Sequence, residues 1–174
     1  MKDADIIQEL QKKLAIPVGR HLYGVLGTYQ SLDRFSEKLQ QATIPKDKPF
    51  PEPLSVNQGI LETIPDGDFY CLVEDEPKRP ETTTSYVARA FESFLRSKLR
   101  EQGLIILKNI ELLFAYNIEL NLLRTLATDE SRVLLLLPGI WVRGDIVMFP
   151  RFTEDTYTLP SNLIAENHLW ELSD

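Results

Sequence analysis

"HLYGVLGTYQSLDRFSEKLQQ", residues 21 to 41, changes its period halfway along. "HLYGVLG" reads as a buried strand. Beyond it Leu32, Phe35 and Leu39 recur at helical spacing and predict a helix from about Thr28 to Ala42, with Thr28 or Ser31 able to cap it. A strand, a glycine-containing turn and a helix N-terminus are the layout of a phosphate-binding loop, whose backbone N–H groups point at phosphate oxygens. The spacing G-x-x-x-x-G-K-[ST] fits the stretch. Gly24 takes the first glycine, Tyr29 the second, Gln30 the lysine and Ser31 the magnesium-holding hydroxyl, with Gly27 between them. Only Gly24 and Ser31 keep the required residue type. Gln30 has no charge to set against phosphate, and Tyr29 puts a ring where close backbone approach needs glycine. The alternative is a chance match in an ordinary strand-to-helix turn.

A second position bears on the same chemistry. Nucleotide-hydrolysing proteins of this layout end a later apolar strand in an aspartate that serves magnesium, often beside a second acid. Here "LIIL" (104–107) runs into Lys108, Asn109, Ile110 and Glu111, so a cation stands at the metal position. Two losses at separated sites give one account: a domain built like a P-loop NTPase without its metal-dependent chemistry. On that geometry Lys108 lies near the metal position, where it either binds an anion or pairs with Glu111 or Asp33.

Outward from these motifs the chain alternates. Ile6, Ile7, Leu10 and Leu14 predict an N-terminal helix over residues 3–14, capped by Asp3 or Asp5 and closed by Pro17 and Gly19 within residues 1–17. "TIPKDKPFPEP" is a proline-rich connection. "SVNQGILETI" predicts a short helix, "PDGD" a turn, and "FYCLVE" a second strand. A helix from about Thr84 to Gln102 buries Val87, Phe91, Phe94, Leu95 and Leu99 and stops at Gly103. "LIIL" and "RVLLLLPG" are continuous in apolar residues, as central parallel strands are. The helix between them breaks near Ala115–Asn117, and "GDIVMFP" is a further strand. The C-terminal tail, residues 150–174, is expected to pack on the domain, with a short helix that turns Leu163, Ile164 and Leu169 inward. This order predicts one α/β domain over residues 1–174: three layers, with a mainly parallel central sheet between helices.

"LIILKNIELLFAYNIELNLLRTLA" followed by "RVLLLLPG" resembles the later half of the small P-loop-containing protein of BREX phage-defence systems. In that family a strand ends in an acidic magnesium-binding position and is followed by an Asn-Ile-Glu-x-Leu-Phe run. A helix and a strand ending in Pro-Gly come next. Asn109, Ile110, Glu111, Leu113 and Phe114 stand in the run here, and Pro138-Gly139 ends the next strand. The resemblance covers residues 20–42 and 100–145. Gln30 and Lys108 replace the family's lysine and aspartate, so its ATP-binding activity does not carry over. What the resemblance implies is a place in a multi-protein defence or DNA-transaction complex.

Composition narrows the remaining classes. Net charge is −7 and pI about 4.9, which sets the chain against direct nucleic-acid binding and favours a protein partner. The longest apolar stretch, "VLLLLPGIWV", is too short for a membrane span, and "MKDADIIQELQKKL" is no signal peptide. With a single cysteine, Cys71, the expected compartment is the reducing cytoplasm. Cys71 is expected as a buried, inert thiol in the "FYCLVE" strand. His21 and His168, the two histidines, cannot assemble a His/Cys metal cluster. His21 reads as a packed strand residue and His168 as a surface or capping residue. No G-x-S-x-G turn offers a nucleophile, and Glu74-Asp75-Glu76 reads as a solvated loop. Trp141 and Trp170 are candidate interface anchors, as is Tyr29, with core packing the alternative for each.

The expectation is thus a non-catalytic P-loop-like subunit or adaptor, without metal or cofactor, in a larger assembly such as antiviral defence. Two rivals stand beside it. One is an active nucleotide-binding ATPase or switch that binds ATP through Ser31 and Lys108; the other is a stand-alone scaffold or inhibitor.

Overall fold

Three apolar runs, Leu22–Gly27, Leu104–Lys108 and Arg132–Val142, lie side by side and bury both their faces, the last of them as far as Gly139. The structure is a computed structural model and describes residues 1–150 and 156–173. In chain order it contains α1 (Asp3–Leu14), β1 (Leu22–Gly27), α2 (Tyr29–Gln40), a small hairpin of β2 (Thr43–Ile44) and β3 (Lys48–Pro49), the short β4 (Leu54–Ser55), α3 (Val56–Thr63), α4 (Asp66–Asp75) and the long α5 (Pro80–Gln102). These are followed by β5 (Leu104–Lys108), α6 (Glu111–Ala115), α7 (Asn121–Leu126), β6 (Arg132–Val142), β7 (Asp145–Met148), β8 (Tyr157–Leu159) and β9 (Leu169–Glu171).

The sheet order is β4-β5-β6-β1-β9, parallel at every step. β6 then outruns its parallel neighbours, and its last residues pair antiparallel with β7, which pairs with β8. Successive side chains of a strand point to opposite faces, and the two cores divide accordingly. Tyr23, Val25, Ile106, Leu134 and Leu136 pack against α1 and α2, while Leu22, Leu26, Ile105, Leu107, Val133, Leu135 and Leu137 pack against α3, α5, α6 and α7. The fold is therefore α/β, with helices on both faces of a mainly parallel sheet, consistent with a three-layer P-loop-like architecture. Among the described residues, no helix is long and apolar enough to cross a membrane.

Several expectations need correction. "FYCLVE" is not a strand; it lies in α4. A short apolar run does not distinguish strand from helix. Here Asp66 and Asp68 favour a helix start after Pro65, and Asp68, Leu72 and Glu76 share the side turned towards α5 and α6. Cys71 is consequently exposed rather than buried. The Glu74-Asp75-Glu76 run is not in a loop, since α4 ends at Asp75 with Glu76 as its C-cap. α5 starts at Pro80, four residues earlier than expected, with proline in its first turn. Neither Asp3 nor Asp5 caps α1: Lys2 is its N-cap, and the buried Asp3 instead pairs with Lys38 and, at 3.5 Å, Arg34 of α2. The tail forms a single 3-10 turn at Glu166–His168 and the strand β9 in place of a helix. Leu163 and Ile164 are buried as expected, and Leu169 is half-buried. Residues 151–155 and 174 of the tail lie outside the described residues.

β9 carries Trp170 onto Tyr23, with ring centroids 6.1 Å apart and planes at 23°. His168 also packs on Tyr23 at 4.8 Å, and His21 Nδ1 lies 2.6 Å from the Tyr23 hydroxyl. Burial lowers both imidazoles from their ordinary range, aided by Arg132 at His21 and by Lys13 at His168. A histidine whose pKa is depressed in the folded chain stabilises the fold fully above its unfolded value of about 6.5, and that contribution is lost as pH falls through the folded value. The urea midpoint is therefore expected to fall between pH 7 and pH 5, and to fall less in His168→Gln. A flat profile would contradict the buried-histidine seam.

α3 and α5 meet closely at Gly59, where a Cβ would lie 2.3 Å from the Phe94 ring. Gly59→Ala is expected to lower stability by about 1–3 kcal/mol through overpacking, despite alanine's better helix propensity. Chemical denaturation measures it, and a neutral or stabilising result would show that the ring yields.

Candidate functional site

In an open α/β sheet, ligands bind outside the carboxyl ends of the strands, where the connections diverge. That point lies at β1. The chain leaves β1 through α2 for the far edge at β4 and returns through β5 to β6; later β9 pairs on the other side of β1. A cleft of about 490 Å³ opens there, between Gly27–Gln30 on one side and Pro138, Gly139, Ile140 and Pro150 on the other. Among the described residues no charged side chain lines it.

Each predicted phosphate-loop residue has a definite place. Gly24 is inside β1, paired with Leu135 and Leu169, and a Cβ there would meet Ile164, Leu169 and Leu137 at 2.7 to 3.0 Å. The strand continues in register through Val25, Leu26 and Gly27 to Pro138. Thr28 alone joins it to α2, so residues 24–31 are a strand end and a capped helix start rather than an open loop. Thr28 Oγ1 accepts from the Ser31 backbone N–H at 3.1 Å, and the Ser31 hydroxyl donates to the Thr28 carbonyl at 3.0 Å. Ser31 is buried and its hydroxyl turns back into this cap. Gly27 fits because a Cβ would lie 2.5 Å from Ser31 Oγ. Gln30 is exposed.

Tyr29 reaches the second predicted site. Its hydroxyl donates to Glu111 Oε1 at 2.6 Å. Because β6 lies between β1 and β5, this bond spans the carboxyl end of β6. Asn57, in the first turn of α3, donates from Nδ2 to Glu111 Oε2 at 2.8 Å and accepts the Leu112 N–H at 3.0 Å. Its own N–H bonds to the carbonyl of Asn109, which turns the chain after β5 at φ 51°. Both carboxylate oxygens of Glu111 are thus held by neutral donors. Burial raises the Tyr29 hydroxyl well above its ordinary range, and the bond to Glu111 and its charge raise it further. Lys108 is half-buried at the end of β5, in register with Ser55, and among the described residues it forms no ion pair with Glu111 or Asp33.

Of the interface candidates, Trp170 is withdrawn into the core at 8% exposure, because stacking on Tyr23 uses its face. Trp141 is 47% exposed on the β6–β7 hairpin, beside exposed Ile140 and Val142. Asn57 was invisible to sequence reasoning, since its partner Glu111 is 54 positions away and no local motif links them.

The class that fold and site define is an α/β domain with a mainly parallel sheet between helices and a tyrosine–glutamate–asparagine bridge at its strand ends. Compared with family models, curated proteins and solved structures, the chain matches none of them.

Tyr29→Phe keeps the ring and removes one hydrogen bond to a carboxylate, with an expected loss of about 1–2 kcal/mol in urea unfolding. In a Glu111→Gln background the same change should cost measurably less. Equal losses in both backgrounds would dissolve the bridge as an energetic unit.

Proposed function

We propose that this chain is a non-catalytic P-loop-like subunit or adaptor of a multi-protein complex, in keeping with the resemblance to a component of phage defence. The observation that supports it most is the Tyr29–Glu111 bond. Tyrosine stands at the position of the second phosphate-loop glycine and is tied to the acid that follows the metal-position strand. Phosphate and magnesium need cationic donors and free carboxylates converging on one point. Here Gln30 is neutral, Ser31 serves the helix cap, Lys108 carries the wrong sign for a metal, and Glu111 is occupied. A chain without nucleotide chemistry acts by what it touches, and the acidic net charge of −7 suits protein partners.

Calorimetry and thermal shift with ATP, with and without magnesium, test this reading. The expected result is no binding heat and an unchanged Tm at millimolar ATP. Micromolar affinity would replace it with the nucleotide-switch reading.

A further inference from the structure

α4 is built inside out. Its side turned towards the protein carries acids: Asp68 Oδ2 accepts from the Tyr86 hydroxyl at 2.6 Å and Glu76 Oε1 from the Tyr116 hydroxyl at 3.1 Å, with Leu72 half-buried between them. Away from that side Phe69, Tyr70 and Val73 are 42, 72 and 55% exposed, and Val73 stands four and three positions from the other two, a spacing that makes one apolar stripe. No residue of α4 is buried. A water-exposed helix puts its apolar stripe towards its own core, and ten residues are too few to hold a helix by propensity alone.

The charge around the stripe selects its occupant. Residues 61–76 hold six carboxylates (Glu62, Asp66, Asp68, Glu74, Asp75 and Glu76) and no basic side chain, in a chain of net charge −7; Asp68 and Glu76 are bonded on the inner side, which leaves the other four for the rim. Lys78, Arg79 and Arg89 are the neighbouring cations on this side of the molecule, and Arg89 lies over the Tyr86 ring, 5.5 Å from its centre. A second copy docked face to face would set one acidic rim against another. Nucleic acid and anionic lipid are repelled for the same reason. What fits is apolar along one side and cationic along its flanks.

We infer that the α4 stripe is a docking surface for a cationic amphipathic helix of a partner protein, whose large apolar residues seat on Phe69, Tyr70 and Val73 while its Lys or Arg residues meet the acidic rim. The inference rests on the adaptor reading for its biological setting. Helix-against-helix recognition of this kind uses anchors at i, i+3, i+4 and i+7, and α4, at about 15 Å, offers roughly three turns.

The test uses the full chain, isotopically labelled, with an 18-residue peptide of Leu and Lys at helical spacing and its Leu/Glu counterpart as probes. The Leu/Lys peptide is expected to shift backbone amide signals of residues 61–76. The double variant Phe69→Ser, Val73→Ser, which removes no buried side chain and no charge, should bind it about tenfold or more weakly. Trp141→Ser should bind it like the unaltered chain, and the Leu/Glu peptide should leave the spectrum unchanged. Shifts centred elsewhere, equal binding by the double variant, or self-association lost in that variant would overturn the inference. Affinity purification from native cells separates the two claims. Companions recovered by both the unaltered chain and the double variant would sink the α4 surface and keep the adaptor reading. The unaltered chain recovered alone would sink the adaptor reading, while the peptide titration still decides the surface.

Discussion

Two-sided burial of β1, β5 and β6 is the constraint from which the rest of the fold follows. A strand buried on one face needs one layer of cover, but these three expose almost no polar side chain and need two. Parallel pairing then forces each connection to cross from one end of the sheet to the other, and the crossings place the helices. α2 covers one face with Leu32, Phe35 and Leu39; α5 covers the other with Phe91, Phe94, Leu95 and Leu99. Gly24 belongs to the same constraint. It lies at the centre of β1, where the tail's Ile164 and Leu169 fill the space a side chain would take.

That constraint also decides what could be read from the sequence. Continuous apolar runs such as "LIIL" and "RVLLLLPG" carry their own signal, because two-sided burial removes polar residues from both faces. α2 and α5 were legible for the complementary reason: one face buried, one face wet, a clear helical period. α4 fails both tests. Apart from Leu72 its apolar residues are not turned inward, so their pattern reports exposure rather than secondary structure, and "FYCLVE" reads as a strand. β9 fails differently. Three residues pair with β1, almost 150 positions earlier, and no local preference records such a contact.

The site was legible to the same degree as its elements. Position supplied Tyr29, Gln30, Ser31, Lys108 and Glu111 at the carboxyl ends of two central strands, since motif spacing fixes location along the chain. Role did not follow from position. Ser31 turned out to complete a helix cap with Thr28, and Glu111 to be held by Tyr29 and Asn57. Hydrogen bonds made over 82 and 54 positions depend on which strand lies between which others, and that order emerges only from the assembled sheet.

The bridge and the sheet order explain one another. A phosphate loop needs a gap between strand end and helix start, so that several backbone N–H groups converge on an anion. Here β1 stays paired with β6 through Gly27, which leaves Thr28 as the whole connection and brings the start of α2 close to the strand ends. A side chain at the first position of α2 then faces across β6 towards α6. Glycine there would leave the Glu111 carboxylate one donor short in a half-buried place. Tyrosine is long enough to reach it and apolar enough for its ring to pack against the core on the way. The short connection and the tyrosine are therefore one arrangement, in which stability is drawn from the place where a phosphate loop would hold its ligand.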